Sequence, residues 1–109
     1  MKVNELIDKL KILDSSILVK IQIELTQTFS FEIKDVFRSS DKLLIWTNGL
    51  YKIIEQDVSN WHSVSTVGEL RNQLNNYDSD LTVGIALGNY VFENIRVCYG
   101  ESRIYFNIG

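Results

Sequence analysis

Histidine and cysteine, the side chains that most often serve as base and nucleophile, each occur once in the chain. His62 lies beside Trp61 in a polar segment, and Cys98 lies between Val97 and Tyr99 in a run that predicts a strand. In such a run a cysteine is expected to be a small buried hydrophobic residue. A pair formed by His62 and Cys98 stays open as an alternative, but no spacing favours it. We therefore predict that the protein is not an enzyme.

Sequence patterns that bind metals or nucleotides are also missing. The chain has no HxxxH or CxxC spacing and no calcium-binding loop of alternating acids. Asp78 and Asp80 could contact a cation, although their place between a predicted helix and a predicted strand favours a turn. Gly84 and Gly88 are not followed by the lysine and helix of a phosphate-binding loop. The sequence thus predicts neither a metal nor a cofactor.

Protein binding is the chemistry that the remaining polar and aromatic residues allow. Carboxylates can pair with basic residues of a partner, and large aromatic side chains can anchor an interface. Tyr90 and Tyr105 are further candidates for exposed aromatic residues. The predicted partner-binding residues are Glu24, Glu32, Asp35, Trp46, Tyr51, Asp57, Trp61 and Asp80.

Two segments have the apolar spacing of a helix with one buried stripe. The second of them opens at Thr66, and the spacing of Thr66 and Glu69 predicts a capping box at its start. The predicted stripes are Val3, Leu6, Ile7, Leu10 and Leu13 in the first helix and Val67, Leu70, Leu74 and Tyr77 in the second.

Alternating apolar and polar residues predict strands after each helix. The clearest hairpin is centred on Asn48-Gly49, where Trp46 is expected to face Tyr51 across the two strands. Most strands have one polar face, which is typical of an antiparallel sheet. Turns between strands are predicted at residues 26–28, 48–49, 88–89 and 100–101, and a β-bulge is predicted at Asn94.

The two helix-plus-strand segments resemble each other when one is moved by 64 positions onto the other. Identical residues then meet at eight positions, from Val3 on Val67 to Ile21 on Ile85. We interpret this as an internal repeat of one helix and three strands, over residues 1–56 and 65–109 with a joint at 57–64; chance similarity is the alternative. We predict one α+β domain over residues 1–109. Its antiparallel sheet has six to seven strands, with two helices packed on one face; two lobes meeting edge to edge are the alternative.

Composition narrows the classes of partner and the cellular location. The net charge of −3 and the pI near 5.0 disfavour a broad basic face for direct nucleic-acid binding. No apolar run reaches the roughly 18 residues that a membrane-spanning helix needs. The single cysteine fits a reducing, cytoplasmic setting. Thr82, Gly84 and Ala86 form a small neutral strand face, which leaves a homodimer open.

The opening MKVNELIDKLK and SILVKIQIE, followed by FSFEIKD and DKLLIWTNG, resembles the start of small phage-encoded anti-CRISPR proteins. The resemblance covers roughly residues 1 to 50 and is one of pattern: a short helix followed by a three-stranded antiparallel sheet. It implies a non-enzymatic acidic protein that blocks a basic nucleic-acid-binding surface of a Cas nuclease. The acids of this chain are less densely clustered, and residues 65–109 repeat the unit. The segment TVGELRNQLNNYDSDLTV is similar to many small phage and prophage proteins.

These observations predict a cytoplasmic protein-binding module, namely a phage or mobile-element inhibitor of a host effector that blocks a Cas nuclease. One alternative is an immunity protein that neutralises a co-encoded toxin. Another is a structural or oligomeric phage component. The three hypotheses differ in the expected partner, and all of them place the function on the outside of the fold.

Overall fold

The structure, a computed structural model, describes residues 1–24, 27–47, 63–87 and 90–108. Over these residues the chain is α+β, with two helices and eight strands. The predicted turns at 48–49 and 88–89 and most of the predicted joint, residues 57–62, lie outside the described residues. The expected facing of Trp46 and Tyr51 therefore stays a prediction.

Both predicted helices form and bury most of their apolar stripes; Ile7 is half-buried, and the half-buried Leu13 and Tyr77 lie beyond the helix ends. Helix α1 spans Val3–Leu10 and helix α2 spans Val67–Leu74, and the first, fourth and eighth residues of each are buried. The Thr66 hydroxyl accepts a hydrogen bond from the Glu69 amide at 3.2 Å, and the Glu69 carboxylate accepts one from the Ser65 amide at 3.1 Å. The predicted cap of α2 is thus confirmed. Neither helix is long and apolar enough to cross a membrane, as far as the described ranges extend.

The strands form two sheets of four, in the orders β2-β1-β8-β7 (the first sheet) and β3-β4-β5-β6 (the second sheet). The outer pairs of each sheet are antiparallel, whereas the central pairs, β1 with β8 and β4 with β5, are parallel. The strands are β1 (Leu18–Glu24), β2 (Thr28–Phe31), β3 (Asp35–Ser39), β4 (Lys42–Thr47), β5 (Thr82–Leu87), β6 (Tyr90–Phe92), β7 (Arg96–Gly100) and β8 (Arg103–Ile108).

The prediction of one antiparallel sheet with six to seven strands is wrong, because the chain forms two four-stranded sheets with parallel centres. Each half contributes four strands rather than three. The bulge predicted at Asn94 is wrong as well. Glu93, Asn94 and Ile95 connect β6 to β7, and the Ile95 amide donates to the Glu93 carbonyl at 3.1 Å.

One hydrophobic cluster joins the stripes of both helices to the facing sides of both sheets. In β1 the residues alternate, so that Val19, Ile21 and Ile23 point inward. Since the cluster takes side chains from both sheets, the helices do not lie on one face of a single sheet, as the sequence had suggested. The largest fully buried members include Phe106, Leu6, Leu10, Ile45, Leu70, Leu74 and Ile85.

The second sheet is buried on its other face too. Leu44 and Ala86 are only 7% and 4% exposed there, and a Cβ on Gly84 would lie 3.0 Å from Leu44 Cδ2 and 3.1 Å from Val91 Cγ1. The face formed by Thr82, Gly84 and Ala86, which the sequence left open for another subunit, is therefore largely covered within the chain.

Each helix begins on the turn that follows the other helix. The first two backbone amides of α1 donate to carbonyls of the turn after α2, and the first two of α2 donate to the turn after α1. Such amides have no acceptor within their own helix. The four bonds run from Val3 to Leu81 (3.0 Å), from Asn4 to Ser79 (3.1 Å), from Val67 to Ile17 (2.8 Å) and from Gly68 to Ser15 (2.9 Å).

Aspartates shape both of these turns. Asp14 Oδ1 accepts hydrogen bonds from the Ser16 amide at 2.9 Å and the Ser16 hydroxyl at 2.8 Å. Asp78 Oδ1 accepts one from the Asp80 amide at 3.0 Å. The Ser16 amide, followed by the Ser16 hydroxyl, lowers the pKa of the Asp14 carboxyl from its ordinary value. The turn that the sequence favoured at Asp78 and Asp80 is confirmed.

The strand registers of the two halves correspond. Leu18 pairs with Arg103 in the first sheet, and Thr82 pairs with Lys42 in the second. Thr82 follows Leu18 by 64 positions, and Arg103 follows Lys42 by 61. The two offsets differ by three because nine residues separate the paired Ile21 and Phe31, whereas six separate the paired Ile85 and Phe92. With these two offsets, every strand pair of one sheet has a counterpart in the other.

The contact between Gly68 and Ser15 generates the first prediction. A helical Gly→Ala change normally stabilises by about 0.5–1 kcal/mol. A Cβ on Gly68, however, would lie 2.9 Å from Ser15 Cβ and 3.1 Å from Ser15 O. We therefore expect Gly68→Ala to lower the free energy of unfolding by about 1–2 kcal/mol, as overpacking does. Urea unfolding measures this.

The matched control is Asn4→Ala, at the corresponding position of α1. Asn4 is exposed and already carries a Cβ, so this change should stay within about 0.5 kcal/mol of the parent chain. A Gly68→Ala protein that is as stable as the parent would contradict the close approach of helix start and turn.

Candidate protein-binding surface

The carboxylates predicted to bind a partner are distributed over different elements. Glu24 ends β1 in the first sheet and accepts a hydrogen bond from Asn107 Nδ2 at 3.0 Å. Glu32 is exposed between β2 and β3 and lies 3.3 Å from Lys34 Nζ. Asp80 is exposed in the turn after α2. The structure does not gather these three acids in one element, and their role in binding stays a prediction.

Two of the predicted residues are neighbours. Asp35 and Trp46 are paired across β3 and β4, and both are half-buried. Asp35 Oδ1 accepts a hydrogen bond from the Val36 amide at 2.8 Å, which fixes the start of β3. The remaining predicted residues, Tyr51, Asp57 and Trp61, lie outside the described residues, as does His62.

Cys98 is less buried than the sequence suggested. It is half-buried in β7, paired with Tyr105 of β8, and it is a free thiol. Its place toward the sheet edge explains the difference, because one side of β7 has no neighbouring strand within the described residues. Among the described residues, no three side chains of the types His, Cys, Asp and Glu are grouped so that they could hold a metal ion.

Asn107 is a buried polar residue that the sequence analysis missed. It is 3% exposed in β8, and its amide nitrogen donates to Glu24 across the sheet. Its Oδ1 atom is buried and accepts no hydrogen bond in the part of the chain that is described. This bond gives Glu24 a role in holding β8 beside β1, in addition to any role in binding.

Exposed apolar side chains concentrate on two consecutive strands. Among the described residues, five large hydrophobic side chains are exposed, and four of them lie on β6 and β7. Tyr90, Val91 and Phe92 are 70%, 45% and 39% exposed, and Tyr99 is 58% exposed. The fifth is Ile12, just after α1. We call Tyr90, Val91, Phe92 and Tyr99 the corner surface, since β6 and β7 are edge strands of different sheets.

The exposure follows from where β6 lies. It is a three-residue strand at the edge of the second sheet, paired only with β5 within the described residues. A strand with one neighbour leaves its side chains and one row of backbone groups open to solvent. Of the two further candidates for exposed aromatic residues, Tyr90 is exposed, whereas Tyr105 is half-buried. The sequence did not single out Val91, Phe92 or Tyr99, because alternation does not tell an edge strand from a central one.

Comparisons with known proteins add no identification. No protein-family model, no curated protein and no solved structure matches the chain.

An ion pair holds the connection between β6 and β7 to the second sheet. Lys42 Nζ at the start of β4 lies 2.7 Å from Glu93 Oε1, and both side chains are partly exposed. The hydrogen bond to Glu93, followed by the charge of Glu93, raises the pKa of the Lys42 ammonium from its ordinary value. The pair positions the connection next to the corner surface.

The second prediction concerns this pair. In Glu93→Gln we expect the pKa of Lys42 to return toward its ordinary value of 10.5, because the carboxylate that favours the charged form is gone. NMR titration of the Lys42 side chain measures the change. Glu32→Gln, which removes the Lys34 pair instead, should leave the pKa of Lys42 where it is.

The same shift predicts a pH dependence of stability. A pKa that is higher in the folded state contributes stability below the unfolded value, and this contribution is lost as the pH rises through the folded value. The stability difference between the parent chain and Glu93→Gln should therefore be constant near neutral pH and should shrink above pH 10.5. A difference that grows with alkaline pH would contradict the pairing.

Proposed function

We propose that the protein is non-enzymatic and acts by binding another protein through the corner surface. The observation that carries this proposal is the grouping of Tyr90, Val91, Phe92 and Tyr99 on two consecutive edge strands. Several exposed apolar side chains on two consecutive strands favour an interaction site, whereas single ones are ordinary. Ile12, which is more exposed but stands apart on another element, is an example of the ordinary kind.

The residue types at the corner surface suit a protein partner. Tyrosine and phenylalanine bury a large area with few rotatable bonds, and the tyrosine hydroxyls can keep a hydrogen-bond partner at the rim of an interface. The partly exposed pair of Lys42 and Glu93 adds polar groups beside the apolar centre. An apolar centre with a polar rim is the usual anatomy of such interfaces.

The partner that we propose is a host effector of a phage or mobile element, with a Cas nuclease as the specific candidate. The acidic balance of the chain supports a basic protein partner rather than direct contact with nucleic acid. Glu32 and Asp80, which are exposed, are available to pair with basic residues. A cytoplasmic location fits this partner and stays a prediction.

We also propose that the two halves derive from one duplicated unit of a helix and four strands. The sequence matches at an offset of 64 support this, and so do the corresponding strand registers. The reciprocal hydrogen bonds at the two helix starts support it further, since each bond has a counterpart 64 positions away.

The third prediction tests the corner surface by substitution. The double variant Phe92→Ser/Tyr99→Ser should weaken partner binding by at least about 30-fold, since truncating one hot-spot aromatic side chain costs about 2 kcal/mol or more. The control is Ile12→Ser, which removes an exposed apolar side chain elsewhere and should leave binding unchanged. Thermal unfolding of each variant confirms that folding is retained.

Two assays identify and test the partner. A photo-reactive phenylalanine analogue at Tyr99 or at Tyr90 should crosslink the same protein in the host cell, and the analogue at Ile12 should not. Purified Cas nucleases then test the specific candidate, with target-DNA cleavage as the readout. Absence of protection across a broad panel would reject the Cas nuclease, and full binding by the double variant would reject the corner surface.

A further inference from the structure

The structure contains two equivalent corners, each joining an edge strand of one sheet to an edge strand of the other. Residues 32–34 connect β2 to β3 at the first corner, and residues 93–95 connect β6 to β7 at the second. Strands β2 and β3 at the first corner correspond to β6 and β7 at the second at an offset of 61, and they pair with equivalent residues. Ile21 pairs with Phe31 and Asp35 with Trp46 at the first corner, whereas Ile85 pairs with Phe92 and Arg96 with Asn107 at the second.

An extended segment of the chain covers the first corner. Val64 forms an isolated antiparallel bridge with Ile33, and its amide donates to the Ile33 carbonyl at 3.2 Å. The Ser63 hydroxyl donates to the Lys34 carbonyl at 3.4 Å. Ile33 and Val64 are each only 1% exposed. Ser63 and Val64 thus pair with the backbone that joins the two sheets.

The second corner is open. Glu93 and Asn94 are exposed, and no backbone hydrogen bond from the described residues reaches the Asn94 carbonyl, which corresponds to that of Ile33. Tyr90 and Phe92 occupy the places of Phe29 and Phe31, which are both half-buried. Four of the five exposed large hydrophobic side chains among the described residues therefore lie on the two strands that flank the second corner.

The helix starts show how a covering segment would enter. At the first corner the segment continues into α2, and the Ser65 carbonyl accepts a hydrogen bond from the Val19 amide at 3.0 Å. The Met1 carbonyl accepts the corresponding bond from the Val83 amide at 2.8 Å. By this correspondence, residues added directly before Met1 would reach the second corner as Ser63 and Val64 reach the first.

We propose that the second corner binds an extended segment of a partner protein, which pairs with the backbone at Asn94 and covers Phe92. This inference rests on the proposed function and specifies how the partner is recognised. The occupant is a strand with an apolar, preferably β-branched residue next to a small hydroxyl residue, as in Ser63-Val64. Backbone pairing would supply affinity, and the apolar side chain would supply selectivity.

A tethered copy of the chain's own covering segment tests the mode of binding. In the test protein, the valine copy, residues 60–64 (NWHSV) are repeated directly before Met1. In the control, the proline copy, the added valine is replaced by proline, which removes the amide donor. The native Val64 is unchanged in both. Hydrogen exchange of the added valine amide and NMR shifts of residues 90–99 are measured.

The expected result is that the valine copy shifts the resonances of Phe92 and Asn94, and that its valine amide exchanges at least about tenfold more slowly than in an unstructured peptide. The proline copy should leave these resonances near those of the parent chain. If the two copies give identical spectra, the second corner does not accept a strand and the inference is overturned, because tethering already supplies a high effective concentration.

Binding of the crosslinked partner to the two copies distinguishes this inference from the proposed function. Occupation of the corner by the valine copy should weaken partner binding by about tenfold or more relative to the proline copy. If both copies bind the partner equally while Phe92→Ser/Tyr99→Ser does not bind it, the proposed function stands and strand recognition is overturned. Self-association of the parent chain that Phe92→Ser abolishes would name a second copy as occupant and would also overturn it.

Discussion

The fold depends on the exchange of hydrogen bonds between each helix start and the turn that follows the other helix. The opening amides of α1 and α2 have no acceptor within their own helices, and the acceptors come from the opposite half of the chain. Neither helix can complete its first turn alone, and eight-residue helices are too short to be stable by themselves. The two halves therefore have to form together, and Gly68 marks how closely helix and turn approach.

The same dependence explains which part of the fold the sequence predicts. Helices, their stripes and the cap at Thr66 are local features, and they were predicted correctly. The antiparallel outer pairs join consecutive strands, so a local hairpin pattern can predict them. The parallel pairs, β1 with β8 and β4 with β5, join strands from opposite halves. No short-range pattern specifies such a pair. The one hint is that LLI in β4 and VGIA in β5 are continuous apolar runs, which are typical of strands buried on both faces.

The candidate site was harder to predict for a related reason. Tyr90, Val91 and Phe92 are consecutive, and a strand in the middle of a sheet would have buried at least one of them. They are exposed because β6 is short and lies at an edge, which is a property of the topology rather than of the segment. Asn107 shows the converse. It is a polar residue on a strand, where polarity predicts exposure, yet it is buried and donates a hydrogen bond to the exposed Glu24.

The two halves of the chain have corresponding strands, and they differ in two places that bear on binding. The outward faces of the two sheets are one such place, since Lys20 and Gln22 of β1 correspond in register to Gly84 and Ala86 of β5. The corners are another, because the Ser63-Val64 segment covers one and leaves the other with exposed aromatic side chains. Only the second difference exposes apolar surface, whose removal from water favours association. The proposed binding role therefore depends on the open second corner and not on the sheet face of Lys20 and Gln22.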